Sequence, residues 1–304
     1  MAAWSRHPSL VSALLLGSAL LGCTTRSEVS GGSLLRGGEK VTPAHHFDHV
    51  LVIVLENQTY SSVAADPYFA ALAHRGAVFA DFRGLFHPSY PNYLAMVSGR
   101  PIFTIDDRQR TVDVPTIGDA LARRHLSFKN YAEDYPGRSG QCDLRPRVGR
   151  YARRHVPFLS FRSEQRADCA EVVPARQFAL DVATRRLPAY AFYSPNLDHD
   201  GHDPVSDPKV GLRKAVSWLH GFLDPLLGTG QLPGTLVVLT FDESEGRERT
   251  NRIFTAFLGD MVRPGTVAGS YNHYNVLRTI EDDFGVAPVG TGDARARPID
   301  GVWK

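Results

Sequence analysis

Two apolar runs that end in acids constrain this chain more than any other feature. LVIVLEN (Leu51 to Asn57) and LVVLTFDE (Leu236 to Glu243) carry Val, Ile and Leu without polar alternation. A strand with one wet face alternates; an unbroken apolar run belongs to a strand buried on both faces. In open α/β sheets, ligands bind beyond the carboxyl ends of such strands. Glu56-Asn57 and Asp242-Glu243 therefore reach a common rim, where they make an oxygen-rich site suited to a metal ion. Either pair alone also reads as a cap on the segment that follows it.

The rest of the chain alternates strand and helix patterns. HVLVIVLEN is the first strand, DPYFAALAHRG a helical segment stopped at Gly76, and AVFADFRGLF the second strand. A helix is expected from Asn92 to Val97, with Pro91 near its first turn. TIGDALARR (Thr116 to Arg124) is an amphipathic helix, LSFKNYAE a strand, AYAFYSPN another, and Lys209 to Leu227 a long helix. TLVVLTFDE and IFTAFLG read as strands, and NHYNVLRTIEDDFG as the closing helix. The stretch from Asp134 to Val173 has no periodicity and reads as an excursion over the active face. The expected fold is α/β, a mostly parallel central sheet with helices on both faces.

Residues 1–22 have the form of a secretory signal. Arg6 and His7 precede an apolar run from Leu10 to Leu21, too short to span a bilayer permanently. Leu20-Leu21-Gly22-Cys23 resembles the lipobox of bacterial lipoproteins, which marks Cys23 for lipidation and the membrane as a partner through that anchor. A plain exported protein is the alternative. Residues 23–43, rich in Ser, Gly and Thr, read as a tether, and residues 44–304 as one domain. Of three cysteines, Cys142 and Cys169 remain as an even pair in an oxidising compartment, expected to form a disulfide. It would close a loop of roughly thirty residues and contribute on the order of 3 kcal/mol. The formal net charge of +2 implies no nucleic-acid partner. The basic run from Arg145 to Arg154 reads as a solvated face, or alternatively as an edge for an anionic substrate.

Ser89 is the sharpest single candidate. A serine at a helix start has backbone N–H groups and the positive end of the helix dipole beside it. Asn92 could donate a side-chain N–H to the same anion, although a helix-capping serine would look the same locally. Asp198-His199-Asp200-Gly201-His202-Asp203 follows a buried strand and is dense in metal-ligand chemistry, where a charged surface turn is the plainer alternative. His273 begins the last helix and gains weight only from this company. With a metal ion present, a serine nucleophile and a histidine acid suit phosphoryl transfer through a covalent phosphoserine.

At this point a family can be recognised. ENQTY, HPSYPNYLAMVSG, YARRHVPF, SPNLDHDGHD, TFDE and HYNVLRTIEDDFG resemble, in order from His49 to Gly285, the motif series of the bacterial phosphoesterase family. That family holds secreted acid phosphatases and non-specific phospholipases C, and lies in the alkaline-phosphatase-like superfamily. The resemblance implies that Glu56, Asn57, Asp242 and Glu243 bind metal and that Ser89 is the nucleophile. It implies a role for His202 at the phosphoryl group, and leaves Asp198 and Asp200 competing for one place. Where two-zinc members of the superfamily carry Asp-His, this chain has Asp242-Glu243. That makes the site harder and leaves calcium, magnesium, manganese or zinc open.

The expected function is hydrolysis of small phosphate monoesters by an exported enzyme of the bacterial envelope. A phospholipase C or other phosphodiesterase is the alternative on the same chemistry. A non-catalytic envelope lipoprotein is the alternative of another class.

Overall fold

The computed structural model describes residues 44–103, 106–138, 140–203 and 206–304. The signal segment, Cys23 and the tether expected before residue 44 lie outside them. The elements are β1 (His49–Leu55), α1 (Tyr60–Ala65), α2 (Pro67–Leu72), β2 (Ala77–Arg83), α3 (Ser89–Ser98), α4 (Ile117–Ala122), β3 (Phe128–Ala132), β4 (Arg147–Val148), β5 (Tyr151–Ala152), α5 (Arg162–Arg166), β6 (Val172–Pro174), α6 (Arg176–Ala183), β7 (Tyr190–Ser194), α7 (Pro208–Gly228), β8 (Thr235–Phe241), β9 (Arg252–Ile253), β10 (Thr255–Leu258), β11 (Gly265–Asn272) and α8 (His273–Asp283).

The main sheet has the order β11-β2-β10-β8-β1-β7-β3-β6, with β9 paired to β2. All its strands run in one direction except β9 and β10, which pair antiparallel to their neighbours. Every residue of β8, and all of β1 after His49, is buried. Both faces of the central strands are therefore covered, as the unbroken apolar runs require. β8, β1 and β7 are adjacent and parallel, so their carboxyl ends open side by side. Leu55 pairs with Phe241, which places Glu56 next to Asp242 at the rim.

α3 carries Ser89. It begins at that residue rather than at Asn92, and all ten of its residues are buried. Pro91 in the first turn has a backbone angle already suited to a helix. Gly99 ends it in the left-handed region (φ 61°), donating to the Ala95 carbonyl. A Cβ on Gly99 would lie 2.3 Å from the Asp293 carboxyl, so the stop is also a packing point.

Three expectations change. IFTAFLG contains the end of β9 and all of β10, antiparallel to the rest. β11 was not legible: it is polar, contains glycine and is exposed along most of its length at the sheet edge. The second half of the unperiodic stretch belongs to the core, whereas residues 140–150 are exposed or half-buried. Tyr151, Phe158, Leu159 and Phe161 are fully buried, set by short turns at Arg153–His155 and Pro157–Ser160. The expected disulfide joins Cys142 and Cys169, 27 residues apart.

Candidate active site

Ser89 Oγ lies 3.1 Å from each of three oxygens: Glu56 Oε2, Asn57 Oδ1 and Glu243 Oε1. A hydroxyl has one proton and can serve one acceptor at a time. The other two contacts set lone pairs against lone pairs unless a proton or a cation intervenes. Asn57 sits in the left-handed region at φ 33°, which Asn tolerates better than most residues. In that turn its backbone N–H donates to Asp242 Oδ1 (3.1 Å) and its Nδ2 donates to Glu243 Oε1 (3.2 Å). The strand-end acids are thereby tied into one cluster. His87 adds a contact from Nδ1 to Glu243 Oε2.

A second group closes around Glu56. Tyr93, one helical turn beyond Ser89, donates its hydroxyl to Glu56 Oε1 at 2.7 Å. The His155 ring stacks on Tyr93, with Nε2 3.3 Å from Glu56 Oε1 and Nδ1 3.8 Å from Asp200 Oδ2. His202 Nδ1 stands 3.8 Å from Glu56 Oε2. Gly201, at φ +99°, supplies the turn between Asp200 and His202. The two competing aspartates sit in different surroundings: Asp200 is buried beside His155. Asp198 is half-exposed and pairs with Arg150 and Lys214.

Asn92 and His273 have other work than the sequence suggested. Asn92 Oδ1 accepts the N–H groups of Leu85 and Phe86, and its Nδ2 donates to the Phe86 and Pro88 carbonyls. Its amide is spent on the loop that leads into Ser89, which leaves it no free donor for an anion. The buried His273 ring donates from Nε2 to the Asp242 carbonyl at 2.8 Å, and burial pushes its pKa down to about 4. It holds the Asp242 backbone in place. Gly84 serves the same end, because a Cβ there would lie 2.8 Å from that carbonyl.

The electrostatics are those of crowded acids. Burial, followed by neighbouring carboxylates, raises Glu56 (with Asp242), Asp242 (with Glu243) and Glu243 (with Glu56), the last to about 8. Burial raises Asp200 to about 7. The opposing charge is Arg154, which acts on Glu56 and Asp200. Burial holds the His155 and His202 rings below the usual histidine range.

Arg154 corrects the solvated-face reading of the basic run. Arg145, Arg147 and Arg150 are exposed, but Arg153 is buried and donates to the Leu144 and Leu159 carbonyls. Arg154 and His155 are the functional candidates that sequence reasoning passed over. YARRHVPF held a signal, because a basic pair followed by His, Pro and Phe is a poor solvated face, but the pattern alone says nothing about which side chains turn inward.

The donor set fits a hard cation. Asp242 Oδ2 and Asp200 Oδ2 are buried without a hydrogen-bond partner among the described residues, a cost that bound charge would offset. Among the described residues, no group of three or more His, Cys, Asp or Glu side chains is close enough to count as a metal site. Here, however, two of the converging oxygens come from Asn57 and Ser89, which such a grouping omits.

The sheet order, with Ser89 beside the acids at the ends of β1 and β8, describes a fold that known structures share. Solved structures agree on the fold. An alkaline phosphatase superfamily protein from Vibrio parahaemolyticus superposes with TM-score 0.58 at 11% identity, over 82% of this chain and 70% of that one. A lipoteichoic acid synthase from Listeria monocytogenes gives 0.55 at 11%, over 82% and 76%. The model of the Phosphoesterase family matches residues 59–287, and the chain belongs to that family, whose members hydrolyse phosphoric ester bonds. It is 33% identical to a phosphatidylinositol-3-phosphatase of Mycobacterium tuberculosis, over 84% of this chain and 83% of that protein. It is 32% identical to a probable acid phosphatase of Kluyveromyces lactis, over 84% of this chain but only 62% of that longer protein.

Proposed function

We propose that this chain is an exported phosphomonoesterase that uses a divalent metal ion and forms a covalent phosphoserine at Ser89. The observation that carries the reading is the three-oxygen cage around Ser89 Oγ at the start of α3. Glu56, Asn57, Asp242 and Glu243 would hold the ion. Their all-oxygen chemistry favours calcium, magnesium or manganese over zinc. When bound, such an ion lowers the pKa of a nearby hydroxyl and neutralises phosphoryl charge.

The chain's own residues supply the rest. Ser89 gives its proton to Glu243, whose Oε1 lies 3.1 Å away, as its Oγ attacks phosphorus and the bond to the alcohol oxygen breaks. The start of α3 and Arg154 face the peripheral oxygens with positive potential. At acid pH, where His202 carries a proton despite its burial, it gives that proton to the departing oxygen; its side chain is 17% exposed, enough to exchange protons with solvent. Water then attacks phosphorus with His202 as base, and Ser89 takes its proton back from Glu243 as inorganic phosphate leaves. The fully buried His155 holds Glu56 and Asp200 apart.

Relatives named acid phosphatase and phosphatidylinositol-3-phosphatase favour monoester over diester substrates. The Cys142–Cys169 disulfide supports an oxidising compartment, hence export. No helix among the described residues is long and apolar enough to cross a membrane, so attachment would rest on lipidation of Cys23.

The test compares nitrophenyl phosphate with nitrophenyl phosphorylcholine, in wild type and in Ser89→Ala. The expected result is faster monoester turnover, an acid-stable phosphoserine in the wild type, and at least about a thousandfold loss of kcat in the variant. Faster diester turnover would overturn the monoesterase reading. Activity that survives the substitution would remove the covalent mechanism.

A further inference from the structure

Asp107 lies between α3 and α4 and touches the mouth of the site with both carboxylate oxygens. Oδ1 accepts the backbone N–H of Tyr90 at 3.1 Å. Tyr90 follows Ser89 directly, so its amide is one of the donors nearest the serine hydroxyl. Oδ2 stands 3.9 Å from Nε of Arg154, the cation that faces Glu56 and Asp200. That Nε is buried and has no hydrogen-bond partner among the described residues.

A phosphoryl group on Ser89 would need donors for its peripheral oxygens. The Tyr90 amide and the Arg154 guanidinium are the pair in position to give them, and one carboxylate of this chain already lies against both. We propose that Asp107 is a resident competitor for the phosphoryl group, holding its donors in the free enzyme and being displaced when substrate or phosphate binds. The inference rests on the phosphoesterase reading and adds to it a residue that sets substrate affinity.

Asp107 is built to move. Its side chain is 38% exposed, and residues 106–111 form neither helix nor strand. Among the described residues, its neighbour Asp106 pairs with exposed Arg108 and Arg110. Asp107 also does a helix cap's work, because Pro88 offers no side chain to the first turn of α3. Three roles are thus possible, and they differ in the sign of one measurement. A pure cap leaves phosphate affinity unchanged when removed. A residue that only positions Arg154 weakens phosphate binding when removed. A competitor strengthens it, because a site open for a fraction of the time binds with that fraction of its intrinsic affinity.

The experiment uses Asp107→Asn, which keeps the shape and removes the charge, with Asp107→Ser as a second variant should the first fold poorly. Inorganic phosphate is the probe, titrated calorimetrically into metal-loaded protein and used as a competitive inhibitor of nitrophenyl phosphate hydrolysis. The expected result is phosphate binding on the order of tenfold tighter, with KM falling in the same proportion and the melting temperature slightly lowered. Unchanged or weaker phosphate binding overturns the proposal. If the wild type neither binds phosphate nor turns over the ester, the phosphoesterase reading fails and this inference falls with it. If the wild type does both and the variants do not tighten, only the assignment of Asp107 fails.

Discussion

Two acidic sites at the rim of the same sheet are built in opposite ways. Glu133 follows β3, and its carboxylate is filled. Oε1 accepts the Tyr193 hydroxyl and Trp218 Nε1, both at 3.0 Å, while Oε2 accepts the Asn196 N–H at 3.0 Å and His199 Nδ1 at 2.7 Å. That bond to Glu133 also raises the pKa of His199. Donors of four kinds pin the segment leading from β7 toward Asp200. The cluster at the ends of β1 and β8 instead sets three oxygens around the Ser89 hydroxyl and leaves Asp242 Oδ2 without a hydrogen-bond partner among the described residues. A carboxylate with its lone pairs filled is scaffold. A cluster short of donors is one that a bound cation would complete.

The largest test of that contrast is Asp242→Asn. If the cluster is a cation site, the variant loses bound divalent metal by elemental analysis and at least about a hundredfold in activity. Its metal-free form should nevertheless be the more stable one, because a buried charge has been removed without being left unpaired. We expect the metal-free variant to melt about 2 °C or more above metal-free wild type. A lower melting temperature would mean that Asp242 is satisfied within the fold, and the contrast with Glu133 would break.

Glu133→Gln should behave in the reverse manner. Glutamine keeps the shape but turns one oxygen into an NH2 that faces donors, so hydrogen bonds to a charged group are lost. The expected cost is about 2 kcal/mol, read from the urea midpoint, with metal content unchanged. Loss of metal in this variant would place Glu133 within the site and not merely beneath it.

The same contrast explains what could be read from the sequence. Strands β1 and β8 and the acids at their ends were legible because burial on both faces leaves an unbroken apolar signature. Ser89 was legible because a Pro-containing helix start follows it, although the first three residues of that helix and its last were not. The partners that satisfy or fail to satisfy these groups were not legible. Asn92 reads as an oxyanion donor until its amide is seen holding residues 85–88, and His273 reads as catalytic until its ring is found on the Asp242 carbonyl. Asp198 and Asp200 are chemically identical in the sequence; one meets Lys214 and Arg150, the other His155, through contacts that no local pattern encodes. Arg154 and His155 lie in a segment whose three-residue turn has no period to detect. Strand ends are local information, whereas hydrogen-bond satisfaction is tertiary.

Between the filled and the unfilled site stands a third solution, in Glu281 of α8. Its side chain is buried against Asp293, and both acids accept the Val289 N–H, at 3.0 Å and 2.9 Å. Burial first, then the neighbouring carboxylate, pushes Glu281 up to about 10. It therefore keeps its proton at neutral pH, which removes one charge from the buried pair. The sign of the consequence is fixed by linkage. Because the folded-state pKa is above the unfolded value, the folded chain binds more protons between the two. The stability contributed by Glu281 is full below its ordinary value of 4.5 and is lost as pH rises through about 10. In metal-loaded protein, urea midpoints measured from about pH 5 to pH 9 should fall with pH, and Glu281→Gln should flatten that slope with little change in activity. Parallel slopes would mean that Glu281 is ionised in the fold. A proton would then not suffice to reconcile two buried acids here, which would weaken the case that the rim cluster needs a cation where this pair does not.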